Sequence, residues 1–173
     1  MISIFLNRVY RSIKIDPEIF EEVQKDKKAT VAAGTVVVLS SLATGIGASH
    51  LGTINFYLAP ALSLATWFVW AYIIYFVGVK LFPESKTKTT HPALLRSIGF
   101  SSAPGMIRVF AFNENLMAVM FIGSAFWVLA CMVVAVKQTL NYKSLWKALG
   151  VVVIAWLVQA FALICILVLT RNF

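Results

Sequence analysis

From Ala29 to Val79 no residue carries a formal charge. A helix rises about 1.5 Å per residue, so about 20 apolar residues cross a hydrocarbon core of roughly 30 Å. The run is too long for one crossing, and the polar stretch from Ser49 through His50 to Asn55 divides it. The pattern predicts spans over about 29–48 and 56–79, the second ended by Lys80, Pro83, Glu84, Lys86 and Lys88. Two later charge-free runs predict spans over about 116–136 and 148–170, with the polar stretch Lys137–Lys147 between them.

One segment resists this reading. Between Arg96 and Arg108 stand eleven residues, SIGFSSAPGMI, about 18 Å as an α-helix. Either the two arginines snorkel to opposite interfaces and a span covers 92–112, or the element is broken or re-entrant. Charge parity selects a crossing. With five spans and the N-terminus inside, one side holds Arg8, Arg11, Lys14, Lys25, Lys27, Lys28, Lys80, Lys86, Lys88, Arg96, Lys137, Lys143 and Lys147, and the other only Arg108 and Arg171. Basic residues concentrate on the cytoplasmic side of membrane proteins, and without the third crossing the 137–147 loop falls on the wrong side. The expected fold is therefore all-α, a bundle of five transmembrane helices (residues 29–173) preceded by cytoplasmic helices in residues 1–28.

Before the first span, Ile2, Phe5, Leu6, Val9, Tyr10 and Ile13 share one arc of a helical wheel, with Asn7, Arg8, Arg11 and Lys14 opposite. Such a basic amphipathic helix either lies in the headgroup layer or packs on the protein's own spans. Phe5, Arg8, Val9, Arg11 and Lys14 are the candidate membrane-surface contacts. Asp16-Pro17-Glu18 reads as an N-cap, a first-position proline and a first-turn acid. The run EEVQKDKK, with a Glu21–Lys25 pair at i,i+4, reads as a solvated helix leading into the first span.

Composition agrees: 60% of the residues are hydrophobic and 13% charged, where soluble domains are about half apolar and a quarter charged. The net charge of +8 sits in loops as a topology signal, so no nucleic-acid partner is expected. Cys131 and Cys165 lie inside apolar runs and read as buried thiols. The N-terminus has no continuous apolar run followed by a cleavage site, so it is not a secretory signal.

Candidate chemistry is sparse. His50 and His91 fall in loops on opposite sides and read as surface histidines, and no Asp, Glu or Lys sits mid-span. With too few titratable groups to converge, no enzyme activity, cofactor or metal is expected. The polar content of the spans is small: Ser41–Gly45, Ala43–Gly47, Gly99–Ala103 and Ser101–Gly105 are small-xxx-small pairs that let helix backbones approach. Pro104-Gly105 predicts a kink, with Ser101 and Ser102 placed to satisfy carbonyls that it frees. Candidate helix-packing or partner contacts are Ser41, Gly45, Arg96, Gly99, Ser101, Ser102, Pro104, Gly105 and Arg108. Trp67, Trp70, Tyr72 and Tyr75 read as lipid-facing or packing aromatics, and Trp146 as an interfacial anchor.

Two stretches carry a family likeness. LLRSIGFSSAPGMIRVF (94–110) resembles the central motif of prokaryotic Yip-domain proteins, with an Arg, an aromatic after Gly and small residues before Pro. WVLACMVVAVKQTLNYKSLWKALGVVVIAWLV (127–158) resembles the part that follows, and DPEIF (16–20) the opening. The resemblance implies a five-helix membrane domain with a cytoplasmic N-terminus and brings no catalytic residues. Eukaryotic members bind Rab/Ypt small GTPases in vesicle traffic and usually carry a longer N-terminal extension. This chain is without it, so no small-GTPase partner is expected and the likeness points to the bacterial or archaeal branch. The expected role is a non-enzymatic multi-pass scaffold or adaptor, bound to membrane lipids and to other integral membrane proteins or itself. The expected site is a prokaryotic cytoplasmic membrane, with the C-terminus across it from the N-terminus. The alternatives are an accessory or assembly subunit of a respiratory, photosynthetic or transport complex, and a small-solute permease or channel.

Overall fold

A computed structural model of the protein describes residues 2–49 and 58–170, with backbone alone at 114, 115, 163 and 165–170. His50, most of the expected polar break and Arg171 lie outside the described residues, as does the side chain of Cys165. Seven α-helices follow in order: α1 (Ile2–Ile13), α2 (Pro17–Lys25), α3 (Ala29–Gly47), α4 (Leu58–Tyr75), α5 (His91–Ser101), α6 (Glu114–Leu140) and α7 (Leu145–Thr170). A π-helical turn, Phe76–Leu81, continues α4, and a 3₁₀ helix, Ala103–Phe110, follows α5. Among the described residues there is no strand.

Among the described residues, four helical stretches are long and apolar enough to cross a membrane: 29–47, 58–81, 116–140 and 145–162. The expected third span is a composite, because α5 ends at Ser101 and the chain tightens into the 3₁₀ helix at Ala103-Pro104. Proline lacks the N–H that would continue the α-helical ladder. The backbone does more than kink; it changes helix type. At about 1.5 Å per α residue and about 2.0 Å per 3₁₀ residue, the two pieces laid end to end reach about 32 Å. Most of that reach comes from the residues flanking the two arginines, and the tighter winding adds about 4 Å.

This composite runs alongside α3 in the same direction. Gly99 lies against Ala33, Gly105 against Ser40, and the Arg108 carbonyl against Gly47. Helices α4 and α6 run opposite to it: the Trp67 indole donates to the Leu95 carbonyl (3.0 Å), and the Arg108 guanidinium to the Ser124 hydroxyl (2.7 Å). Alternation of direction gathers the end of α4, the start of α5 and the α6–α7 connection at one end. There the Tyr142 hydroxyl lies 2.8 Å from both the Gly78 and the Phe82 carbonyl oxygens. Thr87 donates to the Leu140 carbonyl (3.0 Å), and Lys147 pairs with Glu84 at 3.4 Å. Burial pushes the Tyr142 phenol up to about 12.

Helix α6 runs past the expected end at 136 to Leu140, and α7 starts at Leu145 rather than 148. A charge marks where the membrane stops, not where the helix stops. The end of α6 is set by Asn141, in the left-handed region at φ 53°. Its N–H donates to the Gln138 carbonyl and that of Tyr142 to Lys137, the paired bonds of a Schellman cap.

Two apolar clusters form the core. One joins α4, α5, α6 and α7 through Ala71, Ile74, Leu94, Val136, Leu140 and Ala148. The other takes Val9, Ile19, Phe20 and Val23 from the N-terminal helices onto Ala33, Phe100, Cys131 and Ala135 of the bundle. The first two helices thus share a core with the spans.

Candidate functional site

Helices α1 and α2 form a hairpin whose facing charges pair off. Arg8 holds Glu22 and Asp26, both at 2.8 Å, and Arg11 holds Asp16 at 2.6 Å and Glu22 at 2.8 Å. The turn is another Schellman cap, with Asp16 N–H on the Arg11 carbonyl and Ile15 N–H on Ser12. Ile15 occupies the left-handed position at φ 59°, costly for a β-branched residue; its side chain packs against the second core cluster. Asp16 also caps α2, accepting from the Glu18 N–H at 3.0 Å. Glu21 and Lys25 stand 4.0 Å apart on the exposed face, while Glu22, Val23 and Asp26 turn inward to the arginines and the core. The run EEVQKDKK therefore has one solvated face only.

The apolar arc of α1 is divided. Phe5 and Val9 pack on the bundle, whereas Ile2, Leu6 and Tyr10 are exposed, with the Lys14 ammonium over the Tyr10 ring at 4.5 Å. Both readings of this helix thus have a face to serve them. The hairpin is fastened to α6: the Trp127 indole donates to the Ile13 carbonyl (2.8 Å), and the Cys131 thiol to Ser12 (3.4 Å).

Hydrogen bonds from Arg11 and Arg8 hold the Asp16 and Asp26 carboxyls below their ordinary values. A depressed carboxyl pKa stabilises the fold above the ordinary value and is lost as pH falls through the folded one. The hairpin is expected to loosen as the pH drops well below the ordinary aspartate value of 3.8. Pepsin cleavage near the α1–α2 turn should rise between about pH 4 and pH 2 in the wild type. In an Asp16→Asn, Asp26→Asn variant that rise should be flattened.

The third segment is held from both sides. Arg96 is buried, 6% exposed, and its Nε donates to the Val23 carbonyl at 2.9 Å while a terminal nitrogen donates to Gln24. These carbonyls end α2, where the helix dipole favours a cation. Ser97 donates to Phe20 in the next turn (3.2 Å). Arg108, half-buried, holds Ser124, and its NH1 lies 3.2 Å from Thr44 Oγ1, with the Phe121 ring 5.3 Å away. Among the described side chains it has no carboxylate partner. Ser101 and Ser102 donate to the Ile98 (2.7 Å) and Gly99 (2.6 Å) carbonyls, not to the Phe100 carbonyl that Pro104 deprives of a donor.

Of the expected packing residues, Gly99 and Gly105 face Ala33 and Ser40 of α3 in the same chain, Ser101, Pro104 and Gly45 are buried, and Ser41 and Ser102 are half-buried. Gly47, of the Ala43–Gly47 pair, lies against the Arg108 carbonyl; sequence reasoning missed Ser124, which Arg108 holds. It also missed the environment of His91. This first residue of α5 stands among Phe68, Tyr72 and Tyr75, with ring centroids at 4.8, 5.8 and 6.3 Å. Those rings come from α4 and the loop alone gave no sign of them. The described residues hold no group of three His, Cys, Asp or Glu side chains arranged for a metal.

Apolar helices of spanning length, joined by short loops and braced by internal hydrogen bonds, define a multi-pass membrane protein. The family model described as the Yip1 domain matches residues 12–167, and the chain belongs to that family. The match takes in the hairpin turn, the third segment and nearly all of α7. No curated protein and no solved structure matches the chain.

Proposed function

We propose that the chain is a non-enzymatic scaffold, working through contacts of its helices with lipids and with other integral membrane proteins. One observation supports this above others. Arg96 and Arg108, the ionisable side chains of the third segment, are spent on holding α2, α3 and α6 together. What the bundle offers outward is apolar helix surface, including Phe68, Val69, Phe126, Trp156 and Phe161. The exposed stripe of Ile2, Leu6 and Tyr10 beside Lys14 suits an anionic membrane surface.

The proposed orientation places the hairpin and the basic loops in the cytoplasm of a prokaryotic cell, following the charge asymmetry. A membrane-impermeant maleimide should then label Lys86→Cys from the cytoplasmic side alone; labelling from the outside would reverse the orientation. The scaffold reading is tested by gentle solubilisation at native expression, native-gel separation and mass spectrometry of what migrates with the chain. Stoichiometric co-migration with other membrane proteins is expected. A monomer that drives solute flux in liposomes would overturn it in favour of a permease.

A further inference from the structure

Helix α6 serves as a depth scale. Lys137 closes its charge-free run, and Cys131 and Trp127 lie deeper along the helix, by about 9 and 15 Å at 1.5 Å per residue. These are the residues that the hairpin tip reaches: the Cys131 thiol donates to the Ser12 carbonyl and the Trp127 indole to that of Ile13. The tip carries charge to this depth. Lys14 is exposed, and the Glu18 carboxylate, 3.9 Å from Arg11, is 87% exposed.

A second charge enters from the opposite end. Glu114 opens α6, and Ser124 lies about 15 Å further along it. Arg108 donates to Ser124 there and stands 3.2 Å from Thr44 Oγ1. Of the five N–H donors of a guanidinium, those two bonds engage two; the rest have no partner among the described residues. Ser124, Val128 and Cys131 share one face of α6 at i, i+4 and i+7. About 10 Å along that face thus separates the Arg108 cation from the charged tip. Met106 of the 3₁₀ helix, half-buried and packed on the hairpin's core, bridges the interval.

A charge held in hydrocarbon is costly, and a bilayer relieves that cost by thinning and admitting water beside it. On this flank charges impose the relief from both sides. An apolar core of roughly 30 Å narrows to a constriction of about 10 Å, formed by Met106, Trp127 and Val128.

We propose that this flank is a track on which phospholipid head groups cross between leaflets, so that the chain scrambles lipids. The phosphate takes the free N–H donors of Arg108 on one side of the constriction and the Lys14 ammonium on the other; a guanidinium fork matches paired phosphate oxygens. A free anion needs walls all round, whereas this track is open to the bilayer, with Tyr10, Trp127 and Phe110 exposed beside it for acyl chains. The activity is separate from the scaffold reading and holds with or without protein partners.

The test uses the full chain in phosphatidylcholine liposomes carrying a trace of fluorescent short-chain phosphatidylcholine, extracted by albumin, which does not cross the bilayer. Protein-free liposomes should release the outer-leaflet label alone, and proteoliposomes nearly all of it in a second phase. Arg108→Met, and Lys14→Leu at the exposed tip, should each slow that phase roughly tenfold, the scale of one charge-assisted hydrogen bond. Lys143→Leu, which removes an exposed cation away from the track, should leave it unchanged. An impermeant maleimide should label Glu18→Cys in intact proteoliposomes, a readout of water at the tip that needs no lipid movement. Release of the outer-leaflet label alone would overturn the proposal. So would a second phase that Lys14→Leu leaves unchanged or that Lys143→Leu slows equally, or a Glu18→Cys that resists labelling until detergent is added.

Discussion

Replacing Arg96 with Met should detach the N-terminal hairpin from the bundle. The guanidinium is the group that reaches both the Val23 and Gln24 carbonyls at the end of α2. Methionine fills much of the same volume and donates nothing, leaving two carbonyls without a donor in a site that is 6% exposed at Arg96. Hydrogen bonds from a charged donor contribute about 1.5–3 kcal/mol each, so a loss of about 3 kcal/mol or more is expected. Trypsin should report the location: cleavage at Lys25, Lys27 and Lys28 should accelerate while cleavage at Lys143 and Lys147 stays as in the wild type. Arg96→Lys should recover less than half the loss, because a point ammonium does not reproduce the planar fork that spans two acceptors. Equal protease resistance in the Met variant would show that the second apolar cluster alone holds the hairpin down.

This arginine also shows what the sequence carried and what it did not. Hydropathy placed the four long spans because lipid exposure is a local, residue-by-residue demand. The helices continue past the charges that bound the expected spans, as at Lys137 and Lys147. Charge parity called for a crossing between Arg96 and Arg108 that length argued against. The 3₁₀ winding from Ala103 adds about 4 Å to that stretch. Pro104 was visible; its effect on helix type was not.

Partners far along the chain were not legible at all. Amphipathic spacing identified α1, yet Arg8 and Arg11 read as membrane-surface contacts, and nothing nearby in sequence announced that Glu22 and Asp26 fold back onto them. Arg96 read as a snorkelling residue because nothing in 92–112 announces that α2 ends beside it. Small-residue spacing marked Gly99, Ser101 and Gly105 as candidate packing or partner contacts. It could not say whether the surface they meet belongs to this chain or another, and here Ala33 and Ser40 meet Gly99 and Gly105.

The largest effects on the bundle itself should come from giving two glycines of the α3 seam a side chain, and the two should respond differently to rescue. A Cβ at Gly105 would collide with Ser40 Oγ, while Ser40 Cβ would stand 3.5 Å away, an ordinary contact. Gly105→Ala should therefore cost about 1–3 kcal/mol by overpacking, and Ser40→Ala in the same chain should restore most of it. The cycle should give a coupling of about 1 kcal/mol or more between the positions. A Cβ at Gly47 would collide with the Arg108 carbonyl oxygen and stand 3.2 Å from Ala111 Cβ. Backbone cannot be trimmed, so Gly47→Ala has no such partner mutation and must push α3 from the 3₁₀ helix. That separation also stretches the Arg108–Thr44 contact of 3.2 Å across the same seam. Unfolding titrations in mixed detergent micelles would measure all four variants. If Ser40→Ala fails to rescue Gly105→Ala, the parallel packing of α3 on the composite third segment is wrong, and with it the basis for counting that segment as a crossing.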